Sequence, residues 1–307
     1  MKTVLLTIAV LVLLSRPAFS QEIKVVGNEP VAIPGSDGSY SPRLSPNGDY
    51  LLVTGANMQG LQKYDLATKK LSTITTEKSA GFGTQMTSDG NTIVYRTSEY
   101  IGKLRYSSLK SLDITTGKET TLIKNTRNLQ SVSVKEGTVL AVDNGKLTKK
   151  KVSGKTLSAT PAVASIKDGQ LYVTRNNVTK AVSPAGKDAG YLWASVSPDG
   201  KKLLYYVINT AQAYVSHLDG SNAVSLGVLR SPSWMGNDWI VGMLDADNGE
   251  IITSSKIIAV AANGKGRTQL TDDSVIALNP SASLDATKVV YNTADGKVFL
   301  MTIETSK

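Results

Sequence analysis

A turn that recurs along the whole chain limits the fold more than any other feature of this sequence. Its form is Ser-Pro-Asp-Gly or a close variant, followed at once by a short apolar segment. Proline presets φ for the first turn position, Asp or Asn bonds its own backbone, and Gly accepts a positive φ. Each copy therefore predicts a tight reversal between two β-strands.

Four copies of this turn are clear and three are weak. The clear copies are 45–48, 88–90, 197–200 and 283–286, and the weak ones are 135–137, 167–169 and 236–238. Their last residues recur at about the 40-residue period that is typical of one four-stranded blade of a β-propeller. We therefore predict an all-β chain with seven blades. The two intervals between the turns that end at 137, 169 and 200 are shorter than this period, which leaves six blades as an alternative.

A second hairpin follows the apolar strand in several repeats, as in Leu112-Asp113-Ile114-Thr115-Thr116-Gly117-Lys118. This ordered pair of turns favours a propeller over a β-sandwich or a barrel. Over nearly all of residues 30–303, the turn, the apolar strand and the second hairpin resemble the PD40 (WD40-like) repeat of TolB-like propellers. The resemblance implies that the loops between second and third strands and the links between blades share one face, which would be the binding surface.

The two ends of the chain predict its processing and the closure of its ring. Lys2, the apolar run 4–14 and the small residues Ala18 and Ser20 indicate a cleavable signal peptide over 1–20. Residues 21–307 then form a single propeller domain. The last repeat is one strand short, and we expect residues 30–33 to complete its sheet and close the ring.

Composition narrows the chemistry that this chain can perform. It has no Cys and a single His, His217, so no Ser-His or Cys-His nucleophile pair is evident. Five inner-strand residues predicted to face the central channel are apolar or small, namely Leu44, Met86, Val196, Trp234 and Ala282. We therefore expect no catalytic residues. The alternative is a carbohydrate-active or metal-dependent enzyme, which requires clustered acids or amides at the channel.

Candidate binding residues lie in the loops of the expected binding face. They are Phe82, Arg96, Tyr100, Tyr191 and Trp193. Aromatic side chains with a polar tip are favoured at binding surfaces. The competing interpretation is that Tyr191 and Trp193 begin an inner strand and only pack there.

The best metal-like segment is 245–250, in which Asp245 and Asp247 alternate with other residues before Gly249. Calcium loops use such alternating oxygen ligands, but the twelve-residue spacing with a distal Glu is absent. An ordinary acidic hairpin is the favoured interpretation. We expect no cofactor, with calcium as the alternative.

The predicted location and partners follow from the same observations. With its signal removed and no later membrane-spanning segment, the chain is expected to be periplasmic or secreted, and monomeric. Its formal net charge is +9, but the densest basic stretch, 146–155, lacks the aromatic residues that stack on bases, so nucleic acid is not expected. The predicted function is a non-enzymatic scaffold that binds a protein partner of the cell envelope or a small ligand on one face.

Overall fold

The computed structural model describes residues 22–34, 38–153 and 161–306, so the predicted signal peptide lies outside the described residues. They form seven antiparallel sheets, arranged as the blades of a β-propeller. Five sheets have four strands and two have three. The prediction of an all-β, seven-bladed propeller is thus confirmed. No helix in the described ranges is long and apolar enough to cross a membrane.

The strand bounds, blade by blade, are as follows. The chain starts with β1 (Ile23–Val31). Blade 1 contains β2 (Tyr40–Leu44), β3 (Tyr50–Thr54), β4 (Leu61–Asp65) and β5 (Leu71–Thr75), with one 3₁₀ turn at Ala56–Met58. Blade 2 contains β6 (Gln85–Met86), β7 (Thr92–Ile101), β8 (Leu104–Asp113) and β9 (Glu119–Thr126). Blade 3 contains β10 (Leu129–Lys135), β11 (Thr138–Asp143) and β12 (Lys146–Lys151).

The second half continues the pattern. Blade 4 contains β13 (Val163–Lys167), β14 (Gln170–Arg175) and β15 (Val178–Val182). Blade 5 contains β16 (Tyr191–Val196), β17 (Lys202–Val207), β18 (Gln212–His217) and β19 (Val224–Gly227). Blade 6 contains β20 (Arg230–Met235), β21 (Trp239–Asp247), β22 (Ile252–Ala261) and β23 (Arg267–Gln269). Blade 7 contains β24 (Ala277–Ala282), β25 (Lys288–Thr293) and β26 (Val298–Thr305).

All seven predicted turns join the first strand of a blade to its second. In the turn at 197–200, the Ser197 hydroxyl accepts hydrogen bonds from the backbone N–H groups of Lys201 and Lys202 at 3.1 and 2.9 Å. The same hydroxyl donates to the carboxylate of Asp199 at 2.6 Å. The turn residues therefore fix the reversal through their own side chains, as their chemistry predicts.

The second strands are apolar along their whole length because both of their faces are covered. In β3, Leu51 and Val53 pack toward blade 7, whereas Tyr50 and Leu52 pack toward blade 2. Side chains of a strand alternate between faces, so a blade held between two neighbours needs an unbroken apolar run rather than an alternation. Among the described residues, each of the seven interfaces between adjacent blades has its own buried apolar cluster.

The ring closes through the N-terminal strand. Strand β1 pairs antiparallel with β26, from Ile23 opposite Thr305 to Val31 opposite Val298. Closure by an N-terminal strand in the last blade is confirmed, but the strand spans Ile23–Val31 rather than 30–33. It starts earlier because Ile23 is buried beside Met301 and Ile303 in the cluster between blades 6 and 7.

The antiparallel path of a four-stranded blade sorts its connections between two ends. The turn joining first and second strands and the turn joining third and fourth strands lie at one end, here called the turn face. The loop joining second and third strands and the link to the next blade lie at the other end, here called the loop face. This topology puts the predicted binding segments of the four-stranded blades on one face.

Candidate functional site

The central channel is a cavity of about 740 Å³ lined by the first strands of the blades. All five residues predicted to face it do so, namely Leu44, Met86, Val196, Trp234 and Ala282. Small hydroxyl side chains fill much of the remaining wall. Two of them join neighbouring first strands: Ser131 Oγ donates to Ala164 O at 2.7 Å, and Ser281 Oγ accepts from the N–H of Leu44 at 3.3 Å.

The charged groups of the channel are mostly basic. Arg43, Lys135 and Arg175 line it, and the carboxylates are those of Glu136 and Asp199. Lys135 Nζ donates to the carbonyl oxygens of residues 197 and 198, both at 3.0 Å. Burial lowers the pKa of this ammonium, and the nearby Asp199 opposes that shift. Two carboxylates, one of them bonded within its turn, do not make the acid cluster that the enzyme alternative requires.

A second, smaller cavity lies on the loop face of blade 2. Its volume is about 280 Å³, and three arginines, three hydroxyl residues and one aromatic ring line it. These residues are Ser79, Phe82, Arg96, Thr97, Arg105, Ser107 and Arg127. We call this cavity the arginine pocket. It brings together two of the residues predicted from the sequence, Phe82 and Arg96.

The long hairpin of β7 and β8 builds one side of the arginine pocket. In its register Tyr100 lies opposite Arg105, and Ser98 lies opposite Ser107. Because side chains alternate along a strand, Arg96, Tyr100 and Arg105 share one face of the hairpin. Tyr100 therefore extends the rim of the pocket.

The links before and after the blade supply the other sides. Ser79 and Phe82 come from the link between β5 and β6, and Arg127 comes from the link between β9 and β10. Arg105 Nη2 donates to Ser79 Oγ at 3.2 Å, and Ser79 Oγ lies 2.7 Å from Ser98 Oγ. Sequence reasoning missed Arg105 and Arg127. Because every second side chain of a strand lies on the same face, the hairpin that carries Arg96 and Tyr100 also indicated Arg105.

Arg96 is fixed at the base of the pocket. Its Nη1 donates to the carbonyl oxygen of Leu129 at 3.0 Å, and its guanidinium lies 5.9 Å from the ring centroid of Phe82. Burial lowers the pKa of Arg96 from its ordinary value. An arginine nevertheless keeps its charge at neutral pH. The pocket base is therefore positively charged and largely removed from bulk water.

The remaining predicted binding residues have different environments. The side chain of Tyr100 is 69% exposed, and Trp193 is 39% exposed, lines the channel and contacts Tyr206 edge-on at 5.0 Å. Tyr191 is fully buried between blades 4 and 5, where its hydroxyl donates to Gly186 O at 2.9 Å. Its ring packs inside the protein, in agreement with the alternative prediction that Tyr191 begins an inner strand and only packs there.

Asp245 and Asp247, the weak candidates for a metal site, face a cation of the protein. Arg230 Nη1 lies 3.2 Å from Asp245 and 3.6 Å from Asp247. Among the described residues, no group of three or more His, Asp or Glu side chains is placed to hold a metal ion. The two carboxylates therefore balance the charge of Arg230 in this hairpin.

Comparison with known proteins gives a match in structure alone. No family model and no curated protein matches the sequence. Among solved structures, TolB from Acinetobacter baumannii matches with a TM-score of 0.52 at 13% identity. The match covers 79% of this chain and 56% of the TolB chain, so it spans little more than half of the latter. This protein has the fold of a TolB-like propeller. That likeness confirms the resemblance seen in the repeats, and at 13% identity it concerns the fold alone.

Proposed function

We propose that this chain is an exported, non-enzymatic scaffold that binds a protein partner through the loop face of its propeller. The observation that carries the proposal is the exposed apolar tip of the β7–β8 hairpin. Export to the periplasm is supported by the signal-like residues 1–20. The proposal assigns the scaffold no cofactor and a monomeric state.

The tip of this hairpin protrudes from its blade. Strand β6 pairs only with residues 93 and 94 of β7, and β9 pairs with β8 only from Ser107 onward. The segment 99–106 therefore has no neighbouring strand on either side within the described sheet. It exposes Tyr100, Ile101 and Leu104, and the exposed ring of Phe82 lies on the same face of the propeller. Exposed apolar side chains grouped in this way mark interaction surfaces.

A second hairpin protrudes on the same face. Strand β20 pairs with β21 only up to Met243, and β23 pairs with β22 only from Ile258 onward. Its outer part exposes Leu244 and Ile251. Two hairpins that rise from one face, each with exposed apolar side chains, give a partner separate points of contact. The channel, by contrast, offers no observation that favours the enzyme alternative, so we do not advance it.

Site-specific photo-crosslinking in the native host tests the proposal. A photoreactive phenylalanine analogue replaces Tyr100 in one strain and Leu284 in a control strain. Leu284 is 48% exposed but lies in a turn of the opposite face. We expect a discrete protein adduct from position 100 and none from position 284. Equal adducts from both positions, or none from position 100, would contradict a partner on the loop face.

A further inference from the structure

The arginine pocket gathers three positive charges without a matching carboxylate. Within the described residues, Arg96, Arg105 and Arg127 form no ion pair. Like charges held together in a half-enclosed site repel one another unless an anion balances them. Arg96 is partly buried, whereas Arg105 and Arg127 are exposed to solvent. No carboxylate of the described residues lines the pocket, so its three guanidinium groups are available to an anion from solution.

The nearby acids lie outside the pocket or are already paired. Glu99 is exposed and is not among the residues that line the pocket. Glu77 and Glu119 both bind Lys110, at 2.9 and 3.1 Å. The fold therefore keeps carboxylates out of the pocket although several lie close in sequence or space.

The other polar groups of the pocket wall are hydroxyls. Ser79, Thr97 and Ser107 line it, and a hydroxyl can donate to an anion. Guanidinium groups bind carboxylate and phosphate oxygens in pairs, with planar geometry. A volume of about 280 Å³ is just below the usual range of ligand pockets, and it suits one compact headgroup rather than an extended molecule.

We propose that the arginine pocket binds a phosphate monoester, with the dianion between the three guanidinium groups and the ester substituent against Phe82. Three cations favour a dianion over a single carboxylate. The ring of Phe82, 57% exposed, gives the pocket an apolar wall on which a substituent can lie. This inference rests on the proposed function in one respect, because the pocket lies on the proposed binding face.

Calorimetric titration of the purified full-length mature protein, first with inorganic phosphate and then with phenyl phosphate, tests the proposal. Saturable binding of both is expected.

Arg105→Gln and Arg127→Gln should each weaken phosphate binding about tenfold, because each removes a charge-assisted hydrogen bond. Lys146→Gln is the matched control: it removes the same charge from an exposed position in blade 3 and should leave the affinity unchanged. Phe82→Ala should weaken phenyl phosphate while sparing inorganic phosphate.

Titrations at several pH values and a vesicle assay test the charge state of the bound phosphate and its source. The second ionisation of a phosphate monoester lies near pH 6, so binding should weaken as the pH falls below that value. Co-sedimentation with phosphatidic acid vesicles, lost in Arg105→Gln, would indicate a lipid headgroup. Phosphate binding without co-sedimentation would indicate a free ester.

Two results would overturn the inference. One is that the wild-type protein shows no saturable phosphate binding. The other is that Lys146→Gln weakens binding as much as Arg105→Gln does, since diffuse surface charge would then explain the effect. Neither result affects the crosslinking at position 100, so failure of the pocket and failure of the partner-binding proposal are distinguishable.

Discussion

At the scale of single residues, the four clear copies of the recurring turn share a left-handed backbone conformation at their last residue. Gly48, Gly90 and Gly200 adopt φ of 71°, 72° and 77°. Ala286 holds the same position in blade 7 with φ of 60°. A residue with a Cβ pays about 1–2 kcal/mol in this left-handed region, which Gly does not. Blade 7 thus retains the turn at a cost in stability.

This cost predicts the effect of exchanging the two residue types. Ala286→Gly should raise the free energy of unfolding by about 1 kcal/mol, reduced somewhat by the greater entropy of the unfolded Gly chain. Gly200→Ala is the reciprocal variant. An added Cβ would meet nothing within 4 Å there, so it should lose about 1 kcal/mol through the backbone alone. Urea denaturation measures both, and the same sign for both changes would contradict the explanation.

At the scale of secondary structure elements, closure depends on β1, the element farthest in sequence from its partner. Eight residue pairs join it to β26, with a bulge between Val25 and Gly27. The sequence predicted that an N-terminal segment closes the ring, because the last repeat lacks a strand. The extent of that segment was predicted too short, since no local pattern shows that Ile23 joins the buried cluster between blades 6 and 7.

Removal of residues 21–31 from the mature chain should lower its melting temperature markedly, because the backbone of β26 and the cluster around Ile303 lose their cover. A synthetic peptide of residues 22–31 added in excess should restore it by binding the vacant edge. A peptide with the same composition in scrambled order is the control. An unchanged melting temperature in the shortened protein would show that the ring does not need this strand.

At the scale of the whole molecule, the blades of the propeller differ in their number of described strands and in the size of the buried apolar clusters between them. Blades 3 and 4 have three described strands each, and among the described residues the fully buried members of the apolar cluster between them are Leu140, Val142 and Val163. The cluster between blades 6 and 7 is the most extensive of the seven. The short intervals between turns in the sequence match this region. Within the described residues they correspond to blades of three strands and not to a missing blade.

Local stability should be lower in blades 3 and 4 than in blades 6 and 7. Backbone amides of β11 and β14 are expected to exchange with deuterium faster than those of β21 and β25, although all four are second strands with the same position in their blades. Native-state hydrogen exchange with mass spectrometry measures the difference. Equal protection in the two pairs would mean that the ring opens only as one cooperative unit.

The sequence by itself determined the turns, the apolar second strands and hence the propeller, because these depend on local backbone chemistry and on a repeat that each blade carries within itself. It also singled out Phe82, Arg96 and Tyr100 as candidates on the loop face, although Arg96 and Tyr100 lie in strand β7 and not in a loop as predicted. Only the tertiary structure showed that Arg105 and Arg127 join Arg96, since they come from a hairpin and a link whose approach depends on register and blade packing. It likewise assigned Asp245 to Arg230 and buried Tyr191. Pairings between distant segments are set by the packing of whole blades, which no short stretch of sequence encodes.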